Sequence, residues 1–155
     1  MRKTSAGFTF IEMLIVMIVL GILAALATLK WIDLRNRALT AQAASDLDAV
    51  RLAAYSVWYE TNVWPAETGA GTVPPEMVPY LPKNFSFDRP EYSLDWENFA
   101  PPGGGPSGST QVYVVLSSTN SKIQLALQQT LGNKGPFFIT GSDLTFVIVG
   151  PDGRS

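Results

Sequence analysis

The chain has 155 residues, of which 46% are hydrophobic and 15% are charged, and its formal net charge is −2. This composition excludes a disordered or fibrous chain, and it lacks the basic excess of a protein that binds nucleic acid. The chain contains neither Cys nor His, which excludes disulfides, thiolate metal sites, cysteine nucleophiles and Ser-His-Asp triads.

The first part of the chain is predicted to be helical. Residues 22–64 contain neither Gly nor Pro, the two residues that destabilise helix interiors most. Residues 13–29 carry no charge, and the apolar run extends back to Phe8. As a helix, this run would be roughly 33 Å long, close to the hydrocarbon thickness of a bilayer.

After Lys30 the pattern becomes amphipathic. We expect an apolar stripe that starts with Leu34, Ala38 and Ala41 and continues to Trp58. Most of the charged residues, Asp46 among them, are expected on the other side. One helix is predicted from about Phe10 to Thr61 or Asn62, with the stop set by the approach to Pro65.

The remaining residues predict a small head with three or four antiparallel strands. Strands are expected at 90–96 and 111–117, a short helix capped by Ser121 at 121–131, and a hairpin from 137–140 and 144–149. For residues 121–131, the alternation of Ile123, Leu125 and Leu127 leaves a strand open. Packing of the sheet on the amphipathic helix half gives an α+β fold, with Tyr55 and Trp58 as core residues.

Searches for chemical motifs in the head favour no enzyme. Residues 103–108 match G-x-G-x-x-G but open no helix, as a dinucleotide site requires. They lie in the predicted flexible loop 100–109. Glu91, Asp95 and Glu97 are acidic, but they lack the spacing of a calcium loop and are interpreted as solvated charges. We predict no catalytic residues, no metal site, no cofactor and no nucleic-acid partner.

The N-terminus combines a basic start, Arg2 and Lys3, with a lone Gly7 and a carboxylate, Glu12, inside the apolar run. A basic start and an apolar stretch are also typical of a secretory signal peptide or a simple membrane anchor, and residues 25–27 offer an A-x-A cleavage site. Two features disfavour that alternative. A charge near the membrane centre costs about 2.5–3.5 kcal/mol on insertion scales, and cleavage there would divide the predicted helix.

The run Gly7-Phe8-Thr9-Phe10-Ile11-Glu12, followed by the apolar helix, resembles the prepilin N-terminus of the type IV pilin family. That family includes pilins, minor pilins and the pseudopilins of type II secretion systems. The resemblance covers about residues 1–35. It implies that a prepilin peptidase cuts after Gly7 and methylates the new amine of Phe8, and that Glu12 pairs in the fibre with the amine of a neighbouring subunit.

The resemblance also implies a pilin-like organisation and location. The implied segments are a leader at 1–7, a transmembrane and fibre-core helix half at 8–29, an amphipathic half at 30–62 and a periplasmic head at 63–155. The implied partners are the peptidase, other pilin or pseudopilin subunits, an inner-membrane assembly platform and the lipid bilayer. A membrane-anchored or secreted periplasmic binding or enzymatic domain with an ordinary signal sequence is the alternative.

Three departures from the family pattern favour a minor pilin or a pseudopilin over a major pilin. The apolar helix has no midway Pro, and Gly21 is its only weak point. Without Cys the C-terminal disulfide of many major pilins cannot form. No calcium-loop pattern like that of major pseudopilins is evident.

Overall fold

A computed structural model describes residues 8–99, 111–132 and 135–149. The predicted leader, the predicted loop 100–109 and its glycine motif lie outside the described residues. The described elements are two α-helices, a short 3-10 helix at Pro75–Tyr80 and four strands. They are α1 (Phe10–Thr61), β1 (Ser93–Phe99), β2 (Gln111–Ser117), α2 (Ser121–Leu131), β3 (Phe137–Thr140) and β4 (Asp143–Val149). The predicted α+β, pilin-like arrangement is therefore confirmed.

Helix α1 is continuous over 52 residues and passes through Gly21. Its last residue is Thr61, within the predicted range, and Asn62 follows with a positive φ of 56° that ends the helical path. The chain divides into two compact units between Asn36 and Arg37. In the first unit, every described side chain from Phe8 to Arg35 is exposed.

In the second unit, one stripe of α1 enters the core. The buried members recur every three or four residues: Thr40, Ala43, Ala44, Asp46, Leu47, Val50, Ala53, Ala54 and Val57. The predicted start of the stripe at Leu34, Ala38 and Ala41 is wrong, since these three are exposed. Alanine is small enough for either side of a helix, so an Ala-rich stretch does not specify which side is buried.

The sheet is antiparallel throughout, with the strand order β1-β2-β4-β3. Alternate residues of each long strand face the core, as one-sided packing requires. These residues are Leu94 and Trp96 in β1, Val112, Val114 and Leu116 in β2, and Leu144, Phe146 and Ile148 in β4. They form one hydrophobic cluster with the stripe of α1, so the sheet packs on the amphipathic helix half as predicted.

Residues 121–131 form a helix, so the strand alternative for them is wrong. Ile123, Leu127 and Leu131 are buried on one side. The cap is Asn120 and not Ser121, because the Asn120 side-chain oxygen accepts a hydrogen bond from the Lys122 backbone N–H at 3.2 Å. An Asn side chain reaches this donor from the N-cap position and stabilises the helix start.

Two further predictions, the start of the first strand and the core position of Trp58, differ from the structure. The first strand begins at Ser93, not at residue 90, because the Arg89 N–H donates to the Tyr92 carbonyl and closes a turn. Tyr55 packs against the core as predicted, but Trp58 is not a core residue. Trp58 stacks instead on Trp64, with ring centroids 5.7 Å apart.

Candidate functional site

The N-terminal end of α1 places a carboxylate against the helix start. Because α1 begins at Phe10, Thr9 occupies the N-cap position and Glu12 the third helical position. The Glu12 N–H donates to Thr9 Oγ1 at 3.3 Å, and the Thr9 N–H donates to Glu12 Oε2 at 3.4 Å. This reciprocal arrangement is a capping box, which satisfies two backbone donors that the helix itself leaves without partners.

The predicted site residues lie within this short segment or directly before it. Gly7, the predicted cleavage residue, is outside the described residues. Phe8, the predicted methylated residue, is described and 70% exposed. Glu12 is exposed one turn along the helix. Sequence reasoning did not assign a role to Thr9, although the pattern T-x-x-E before an apolar run is the known signature of a capping box.

The surface that follows Glu12 is apolar and uncovered. An 18-residue window of α1 reaches a mean hydropathy of 2.8 with none of its residues buried in the protein. Length and composition therefore allow α1 to cross a membrane. A helix that is apolar on all sides requires lipid or neighbouring helices around it.

In the head, one buried carboxylate connects α1 to the segment before β1. Asp46 Oδ2 accepts hydrogen bonds from the Tyr92 hydroxyl at 2.7 Å and from Arg89 Nε at 3.2 Å. Sequence periodicity placed Asp46 on the polar side of α1, and that expectation is wrong because Asp46 is only 8% exposed. The two donors compensate the cost of burying its charge. Burial and the hydrogen bond to Asp46 raise the pKa of Tyr92 well above its usual range.

Two acidic side chains of β1, Asp95 and Glu97, lie near Glu67, a residue that the sequence pattern did not group with them. Burial raises the pKa of Asp95, and the nearby charge of Glu67 adds to the effect. Burial also raises the pKa of Glu97, with further contributions from Asp95 and Glu67. Glu67 is 28 positions before Asp95 in the chain, so local spacing could not reveal it. Across residues 8–99, 111–132 and 135–149, no group of three acidic side chains is placed to hold a metal ion.

Comparison with protein families identifies a known motif in the N-terminal segment. Residues 2–28 match the family model described as the prokaryotic N-terminal methylation motif, which is the signal motif of type IV pilins and pseudopilins. The resemblance drawn from the sequence is confirmed over this range. Comparisons with curated proteins and with solved structures give no match.

Proposed function

We propose that this chain, which carries the prokaryotic N-terminal methylation motif at residues 2–28, is a structural subunit of a type IV pilus or of a type II secretion pseudopilus. Within that group we propose a minor pilin or a pseudopilin. The observation that carries the proposal is the coincidence, in the same residues, of the motif and of an uncovered apolar helix. The motif implies processing by prepilin peptidase and assembly with other pilin subunits.

Processing defines the proposed segments of the chain. The peptidase removes residues 1–7 by cutting after Gly7 and then methylates the amine of Phe8. Residues 8–29 remain as the transmembrane and later fibre-core half of the helix, residues 30–62 as the amphipathic half and residues 63–155 as the head. Methylation leaves the amine basic, so it still carries a positive charge.

Assembly uses the carboxylate of Glu12. In the proposed fibre it pairs with the Phe8 amine of a neighbouring subunit, inside a core made of apolar helices. A buried carboxylate without a partner is strongly destabilising, whereas a paired one is compensated. The ion pair therefore favours the one axial position at which amine and carboxylate meet.

The motif and the apolar helix fit a protein anchored in the inner membrane. We propose a single-pass orientation with a periplasmic head, followed by transfer into the fibre on an inner-membrane assembly platform. The role is structural: pilin-type proteins are typically not enzymes, and this chain is the substrate of one.

Mass spectrometry of the mature protein tests the proposal. In a host that processes prepilins, we expect a chain that begins with N-methylated Phe8, and we expect Gly7→Arg to remain uncleaved. Ser5→Arg is the matched control, since it adds the same charge to the leader without changing the cleavage position. A mature chain that begins at Thr28 would instead support a secreted domain with an ordinary signal peptide.

A further inference from the structure

The Thr9–Glu12 capping box begins just after the proposed cleavage position and includes the proposed assembly carboxylate. Both of its hydrogen bonds are made within a single chain, at 3.3 and 3.4 Å. The next backbone bond of the helix, from the Met13 N–H to the Thr9 carbonyl, is 3.2 Å. Thr9 therefore contacts Glu12 both through its side-chain hydroxyl and through its backbone N–H.

The surroundings of Glu12 explain why a local partner matters. The sequence has no basic residue between Lys3 and Lys30. Before cleavage, the nitrogen of Phe8 is part of a peptide bond to Gly7 and carries no charge. The backbone N–H groups at the helix start are donors close to the carboxylate, and they also bear the positive end of the helix dipole. The structure shows the Thr9 N–H in that role.

The capping box also determines where the carboxylate lies. Its bond to the Thr9 N–H holds Oε2 3.4 Å from the Thr9 nitrogen, toward the N-terminus from the Glu12 backbone. Only Oε2 is used in this bond, and a carboxylate has two oxygens with several acceptor positions. Glu12 can therefore accept a bond from an arriving ammonium while it remains in the box.

We propose, on the basis of the proposed function, that Thr9 is a positioning residue for Glu12. The capping box satisfies the carboxylate in the unassembled subunit and orients it toward the N-terminus. The Phe8 amine of the neighbouring subunit then meets a carboxylate whose position is already set. Preorganisation of this kind lowers the ordering cost of association.

The test compares Thr9→Val with Thr9→Ser. Valine has nearly the shape of threonine but no hydroxyl, whereas serine keeps the hydroxyl and is the matched control. We expect Thr9→Val to be cleaved and methylated but to enter fibres about fivefold less, relative to its cleaved membrane pool, which is the factor expected for loss of a helix cap. Thr9→Ser should enter fibres at the wild-type level.

A second measurement reports on the capping box directly. Amide hydrogen exchange of the full-length precursor in detergent micelles is followed by NMR at the Glu12 N–H. Thr9→Val should raise its exchange rate about fivefold, while Thr9→Ser and the amides of residues 14–20 should be unchanged. This measurement does not depend on cleavage or on assembly.

Four results would overturn the positioning role. They are wild-type incorporation of Thr9→Val, an equal defect in Thr9→Ser, an unchanged Glu12 exchange rate in Thr9→Val, and failure of Thr9→Val to be cleaved, which would assign the hydroxyl to the peptidase. Failure of the proposed function is distinguishable, because the wild-type chain would then lack N-methylated Phe8.

Discussion

The substitution Tyr92→Phe removes the hydrogen bond between Tyr92 and Asp46 by deleting one oxygen atom. Tyr92 is 4% exposed and Asp46 is 8% exposed, so water does not replace the lost hydroxyl easily. The hydroxyl lies 2.7 Å from Asp46 Oδ2, and Arg89 Nε lies 3.2 Å from the same oxygen. The substitution removes one donor and leaves the carboxylate with its cationic partner.

The magnitude follows from these contacts. A hydrogen bond to a charged group contributes about 1.5–3 kcal/mol. Because Arg89 still compensates the charge of Asp46, we expect the lower part of that range, a loss of about 1.5–2 kcal/mol in the free energy of unfolding. For a chain of this size the melting temperature should fall by roughly 3–8 °C.

Urea denaturation of the full chain in detergent, followed by tryptophan fluorescence, measures the change, because Trp96 is completely buried in the head. Tyr80→Phe is the matched control. The Tyr80 hydroxyl also donates to a carboxylate, that of Glu60, but at the exposed surface. Its loss should lower the free energy of unfolding measurably less than loss of the Tyr92 hydroxyl, because water replaces the donor at the surface.

The pH dependence gives an independent check on the same contact. Tyr92 holds its proton more tightly in the folded state than at the ordinary tyrosine pKa of 10.0. Its contribution to stability is therefore fully present below pH 10 and is lost as the pH rises toward the raised folded pKa. Above pH 10 the wild-type chain should lose stability more steeply than Tyr92→Phe. Equal costs for Tyr92→Phe and Tyr80→Phe, with equal pH slopes, would refute the reasoning.

Three further predictions concern the fibre, the acidic strand and the core. Glu12→Ala should be cleaved and N-methylated but absent from sheared fibres, and its incorporation at the wild-type level would contradict the ion-pair role. Asp95→Asn should make the head more stable than wild type at pH 7 but not at about pH 3.5. The reason is that burial and the charge of Glu67 raise the pKa of Asp95 above 3.8; the stability linked to its protonation is present below that value and is lost as the pH rises. Denaturation at both pH values measures this, and a loss of stability at pH 7 would contradict it. Leu47→Ala should lower the free energy of unfolding by about 2–5 kcal/mol, because Leu47 is 2% exposed. The control Leu34→Ala, at a residue 53% exposed, should change it by less than about 0.5 kcal/mol; similar losses for both would contradict the observed burial stripe.

The elements that depend on neighbouring residues were predictable from the sequence. Helix α1 lies within the predicted range because its signal, 43 residues without Gly or Pro, is local and long. Strand β2 and helix α2 have the predicted bounds because their sequence signals are also local. The N-terminal motif is contiguous, so the candidate residues Gly7, Phe8 and Glu12 could be named without a structure. The capping role of Thr9 is equally local.

The tertiary structure decided the relations between distant residues. Asp46 and Tyr92 are 46 positions apart, and no periodicity along α1 indicates that this polar residue is buried. The strand order β1-β2-β4-β3, the proximity of Glu67 to Asp95 and the start of the buried stripe at Thr40 are of the same kind. Helix formation is governed by bonds four residues apart, so the sequence shows it. Which side of a helix is buried depends on what the rest of the chain packs against it, and only the folded molecule contains that information.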